Sequence, residues 1–178
     1  WQTTERTYPG AFADFETDKC MFTIPRNWIY AFNNPVTMMN NWDLAMDAIS
    51  DLQGLPRVRN KTIFYGIVDT SYKGAAGSPG YPQSNDNYNP TVDKAGNNTG
   101  HHYLYGPKFA DSLHLHELGH GISISKFAGE VESLVNFPYV AVHNRKFGVS
   151  LDEANGRAVG NEGCATVSRD HAALMWIL

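Results

Sequence analysis

The sequence predicts an α+β fold, with an N-terminal mixed β-sheet and one long helix followed by a helical part. Three observations predict it. Short β-branched and aromatic runs lie before residue 70, an apolar stripe at helical spacing runs from Met39 to Leu52, and helical patterns dominate after Pro107. Residues 1–178 are read as a single domain, long enough to enclose a core of its own.

The elements follow in order. "AFADFET" (Ala11 to Thr17) and "KCMFTI" (Lys19 to Ile24) are expected as short strands broken at Asp18, and the loose alternation of the first leaves its facing open. Asn34 can cap the next helix, Pro35 suits its first turn, and Gly54 then Pro56 stop it. Between them Met39, Trp42, Met46, Ile49 and Leu52 form one apolar face, the pattern of a helix packed on a core. "KTIFYGIVD" (Lys61 to Asp69) is the strongest strand pattern in the chain. From Thr70 to about Gly100 the chain is rich in Gly, Pro, Ser and Asn and has no periodicity, so a substrate-cleft loop is expected there. "GPKFADSLHLHELGHG" reads as a helix from near Pro107 to near Gly121, and "GEVESLVNFPYVAVHNRKFG" as a second helix interrupted or kinked at Pro138. One or two further helices follow, with Asp152 and Asp170 as candidate starts.

Composition narrows the function classes. A 42% hydrophobic and 12% aromatic content fits a globular chain, and a net charge of −4 without any Lys/Arg cluster speaks against nucleic acid or an anionic membrane as partner. No apolar run is long enough for a transmembrane segment. The two cysteines, Cys20 and Cys164, allow one disulfide without requiring it. The sequons Asn60-Lys-Thr62 and Asn97-Asn-Thr99 lean towards an extracellular or cell-surface setting. The opening on Trp1 and the closing apolar run "DHAALMWIL" are expected of a piece cut from a longer protein.

The chemistry concentrates in His116-Glu-Leu-Gly-His120. On a helix, residues four apart share a face, so His116 and His120 can aim two imidazoles at one zinc ion. Glu117, beside the first ligand, is placed to reach a water at the metal rather than the metal itself, and can act as general base and then general acid. This combination is the metallopeptidase pattern. The alternative is a polar helix face with no metal.

The third ligand separates families. A metzincin needs Gly and His where this chain has Ser123 and Lys126, so a carboxylate from the following helix is expected instead, as in two-His, one-Glu sites. Glu132 and Glu130 are the candidates. Glu132 heads a polar face shared with Asn136, Tyr139 and His143, whereas Glu130 heads Leu134, Phe137 and Ala141. Asn136, one turn beyond Glu132, is placed to hydrogen-bond and orient Glu132, as partners of metal ligands do, whereas Leu134 cannot serve Glu130. That favours Glu132, with Glu130 open as the alternative. Tyr139 and His143 could stabilise an oxyanion or contact substrate, and a structural hydrogen bond is the other reading for each. His114 lies on a different helix face and is assigned to packing or the surface; His101 and His102 are read as exposed residues ending the long loop, with lining a cleft as the alternative, and His171 has no partner that the sequence identifies.

These residues resemble the enhancin-like, mucin-targeting zinc metallopeptidases (peptidase family M-sixty), which share the HExxH helix, often with Gly before the second His. In that family a Glu follows, often within "GEV" and with Asn four residues beyond it. Here the cue is split: Gly129-Glu-Val131 has the tripeptide, while Glu132 and Asn136 have the spacing. "FADFETDKCMFTIP" is similar to the family's strand pair, "NNPVTMMNNWDLAMDAISDLQGLP" to its long first helix, and "SPGYP" (Ser78 to Pro82) to its cleft loop. The resemblance runs from about Tyr8 to His143. Gly121-Ile-Ser-Ile stands where relatives often have Asn and Gln, so contacts with substrate would differ. The resemblance implies a zincin-like (gluzincin) fold, one Zn2+ ion, and a secreted or surface endopeptidase acting on proteins or glycoproteins, including mucin-type ones. It also implies an alternative: a non-catalytic module that keeps the fold to bind a glycoprotein, glycan or membrane-protein partner. The intact Glu117 argues against that alternative.

Overall fold

The computed structural model describes residues 1–30, 32–58, 64–69, 71, 79–86, 102–107, 113–122 and 134–160. They form a mixed α+β structure around a four-stranded sheet of order β1-β2-β3-β4. β1 (Phe12–Glu16) pairs antiparallel with β2 (Cys20–Pro25), with Phe15 opposite Phe22. The turn between them falls at Asp18, as the sequence expects, and Thr17 closes it by donating its backbone N–H to the Cys20 carbonyl at 2.9 Å. Facing is now settled: Phe15 points into the core, while Phe12, Asp14 and Glu16 face outward.

From β2 the chain crosses over through helix α1 (Pro35–Gln53) and returns as β3 (Phe64–Asp69), parallel to β2. Parallel neighbours require such a crossover. α1 begins with Pro35 in its first turn and ends at Gly54, whose φ of 68° is a left-handed cap that a Cβ would strain. Met39, Trp42, Met46 and Ile49 are buried as their spacing predicts, and Met38, Ala45 and Ala48 widen the face. Leu52 departs from the expected stripe: it is 37% exposed at the helix end. The core is aromatic at its centre, with Trp42 against Phe22 (4.9 Å between ring centroids) and Phe64 (5.6 Å). Lys19 and Asp47 pair at 2.8 Å and tie sheet to helix. Cys20 is a buried free thiol beneath this helix, its pKa pushed up to about 12 by burial, and Cys164 lies outside the described residues.

The long irregular stretch after Thr70 departs from expectation, because it contains a strand. β4 (Gln83–Asp86) runs parallel to β3 with Gly66 opposite Gln83, and forms an edge of the sheet. Next comes a four-residue helix, α2 (His102–Tyr105); Pro107 sits in a turn beyond it, and the described helix of the HELGH motif is α3 (Leu113–Ile122). After Asn136 the chain enters α4 (Phe137–Phe147), which packs on both α1 and α3. The helical pattern is interrupted just before Pro138, one of the two expected outcomes: Leu134 is helical, Val135 and Asn136 turn, and Pro138 sits in the first turn of α4, where its missing N–H has no intrahelical partner to lose. α5 (Leu151–Gly160) starts one residue ahead of Asp152, and Ser150 Oγ accepts the Glu153 N–H at 3.2 Å. Asp170 lies outside the described residues. No described helix is long and apolar enough to cross a membrane.

Candidate metal centre

α3 is amphipathic in an unusual sense, because its buried side carries histidines. His114 (2% exposed), Leu115, His116 (5%) and Leu118 face inward, while Glu117 and His120 are half-buried. The His116 and His120 rings lie one turn apart on one face, with centroids 4.9 Å apart and planes at 80°. This is the one-turn spacing that the sequence predicts for two ligands on one helix face.

The orientation of His116 is fixed from outside the helix. Its Nδ1 lies 3.0 Å from Asn136 Oδ1, and both residues are buried. An amide oxygen only accepts, so Nδ1 is the donor of this bond, and in the neutral ring Nε2 is the nitrogen with a lone pair for a metal. Asn136, expected beside Glu132, thus meets His116. What lets Asn136 come so close is Gly119. A Cβ on Gly119 would collide with the Val135 carbonyl oxygen and stand 2.7 Å from Val135 Cα. The glycine within the motif thus admits the backbone of Val135, and the next residue reaches the first histidine.

Tyr139 and His143 also follow Asn136 at helical spacing, and the structure places them in the core. Each is 1% exposed, and their rings stack at 4.1 Å with an interplanar angle of 27°. Both rings are thus enclosed along α4, which begins just after Asn136. Burial, aided by the Arg157 charge, lowers the His143 pKa to about 4. Neither ring nitrogen meets a partner at bonding geometry among the described residues, and the Pro107 backbone exerts only an opposing pull.

The structure therefore brings together His116, His120, Asn136 and, on the same helix, Glu117. Glu132 and Glu130 lie outside the described residues, and no group of three His, Cys, Asp or Glu able to hold a metal occurs among the described ones. The donor set present fits zinc: two imidazoles one turn apart, one with its Nδ1 engaged by an amide oxygen. His114 belongs to the packing, its ring 4.6 Å from that of Tyr103. His101 and His171 are outside the described residues, and His102 lies in α2.

Three residues that matter here were not singled out from the sequence: Gln83, Tyr103 and Gly66. Gly66 carried a legible signal, since a glycine inside a strong strand marks a close approach by another group. Gln83 carried none.

Comparison with family models, with curated proteins and with solved structures finds no match to this chain.

Proposed function

We propose that the chain is a zinc-dependent metalloendopeptidase of zincin-like fold, with His116, His120 and Glu132 (Glu130 as the alternative) holding one Zn2+ ion. The observation that supports this reading most directly is the His116–Asn136 hydrogen bond beside the His120 ring. Zinc at such a site polarises the scissile carbonyl and lowers the pKa of water. The chain's own residues supply the remaining chemistry. Asn136 keeps His116 in its ligating tautomer. Glu117 takes a proton from the water that attacks the carbonyl carbon, then delivers it to the amine as the C–N bond breaks. The resemblance to enhancin-like peptidases supports a secreted or cell-surface setting and a protein or glycoprotein substrate, mucin-type O-glycoproteins among them.

The test pairs metal content with turnover. The wild-type chain is expected to bind one zinc and to cut a mucin-type glycoprotein in a chelator-sensitive way. Glu117→Gln should retain zinc while losing at least about a thousandfold in kcat, and His116→Ala should lose the metal. Unchanged cleavage by Glu117→Gln sinks the mechanism. Zinc binding without any turnover in the wild type turns the reading to the non-catalytic module.

A further inference from the structure

Gln83 is 1% exposed in a strand made only of polar residues. Its Nε2 donates to the His114 backbone carbonyl at 3.3 Å, near the start of α3. Its Oε1 is buried, and the amide also lies against the Tyr103 hydroxyl. A buried amide is costly unless bonded, and an apolar side chain of equal size would avoid that cost. The donor end is what the position uses.

A second contact from the sheet converges on the same residue. Opposite Gln83, Gly66 leaves room for Tyr103: a Cβ there would stand 2.9 Å from the ring's Cζ and 3.0 Å from its hydroxyl oxygen. The Tyr103 ring in turn meets the His114 ring at 4.6 Å. Sheet contacts thus reach α3 at His114, two residues before His116. The Gly119–Val135 approach and the Asn136 bond hold the helix elsewhere along its length.

We infer that Gln83 is a positioning residue for the HELGH helix, its amide clamping α3 to the β4 edge of the sheet. The clamp fixes where His116, Glu117 and His120 stand relative to that edge. Its consequence for turnover rests on the proposed peptidase activity; the clamp itself is a property of the fold and is measured without substrate.

The experiment compares Gln83→Met, which keeps the volume and removes the amide, with Ser84→Ala on the outward side of the same strand. Gly66→Ala, which presses on Tyr103, is an independent second probe. Amide hydrogen exchange across α3, zinc affinity by chelator competition, and kcat and KM on a glycoprotein are measured on the full 178-residue chain. Gln83→Met should speed α3 exchange about tenfold and lower kcat about tenfold with KM within about twofold. Zinc affinity should stay within about threefold, because the two histidines keep their spacing within one helix. Gly66→Ala should move exchange in the same direction, and Ser84→Ala should match wild type. Should Gln83→Met not fold, Gln83→Leu, which likewise lacks the donor, carries the comparison. Exchange and kcat within about twofold of wild type overturn the clamp, as does a loss of protection spread equally over α1 and β2. If the wild type neither binds zinc nor turns over substrate, the peptidase reading fails, and α3 exchange alone decides the clamp.

Discussion

Within one core, the side between the sheet and α1 and the side around α3 and α4 enclose different kinds of residue. Towards the sheet, α1 buries Met39, Trp42, Met46 and Ile49 with Phe22, Ile24 and Phe64, a core of interlocking apolar volume. Around α3 and α4 the buried residues include Gln83, His114, His116, Asn136 and His143. The first interior depends on shape, which many hydrophobic sets can fill. The second depends on direction, because each enclosed polar atom needs a specific partner or pays for its absence. The two should respond differently to substitution and to pH.

The largest effect should come from the apolar side. Trp42→Ala removes the indole that touches Phe22 and Phe64, and its Nε1–H bond to the Tyr103 carbonyl at 3.0 Å. About 3–5 kcal/mol of stability should be lost in denaturant unfolding. Equal destabilisation by Val36→Ala, at a position 71% exposed, would erase the contrast.

Next comes acid. The folded pKa of His143 lies near 4, below its ordinary value, so between about pH 6.5 and 4 the unfolded chain binds the extra proton. The contribution is fully present above pH 6.5 and is lost as pH falls through that window, to a total on the order of 3 kcal/mol. Denaturant midpoints should fall accordingly in the wild type, and His143→Phe should flatten the slope. An unchanged slope would show that protonation of this ring is not what the acid side of the molecule feels.

A smaller effect belongs to Gly119. Adding a methyl by Gly119→Ala forces apart α3 and the backbone of Val135, at about 1–3 kcal/mol, and should weaken zinc binding with it. Gly121→Ala, where a Cβ meets nothing within 4 Å, is the control. The finest distinction is Asn136→Ala. It should cost about 10- to 100-fold in zinc affinity, read by chelator competition, out of proportion to any change in melting temperature.

Much of the first interior was legible in the sequence because its signals are local. The Pro start, the Gly stop and the apolar spacing of α1 all lie within one element, and so do β1, β2, β3 and the helical spacing of His116 and His120; Asn34 takes the cap position without a side-chain bond. The second interior is built from contacts between distant segments. β4 reads Gln-Ser-Asn-Asp, residues that disfavour strands, and exists because β3 offers it a parallel edge. Pro138 was expected to break a helix since its neighbours on both sides have helical pattern; placement in the first turn is a matter of where the preceding segment ends. The spacing that put Asn136, Tyr139 and His143 on one face was legible, but spacing does not say whether that face meets solvent or a neighbouring helix. Here all three are enclosed.

Cys20 has a use that its burial creates. A thiol with no exposed surface and a pKa near 12 offers almost no thiolate to an alkylating reagent while the sheet and α1 stay together. In a Cys164→Ser background it becomes a clock set inside the protein. Each alkylation event records one opening of the sheet–helix interface, so the rate of mass gain reports how often that half of the molecule comes apart under conditions where nearly every copy is folded.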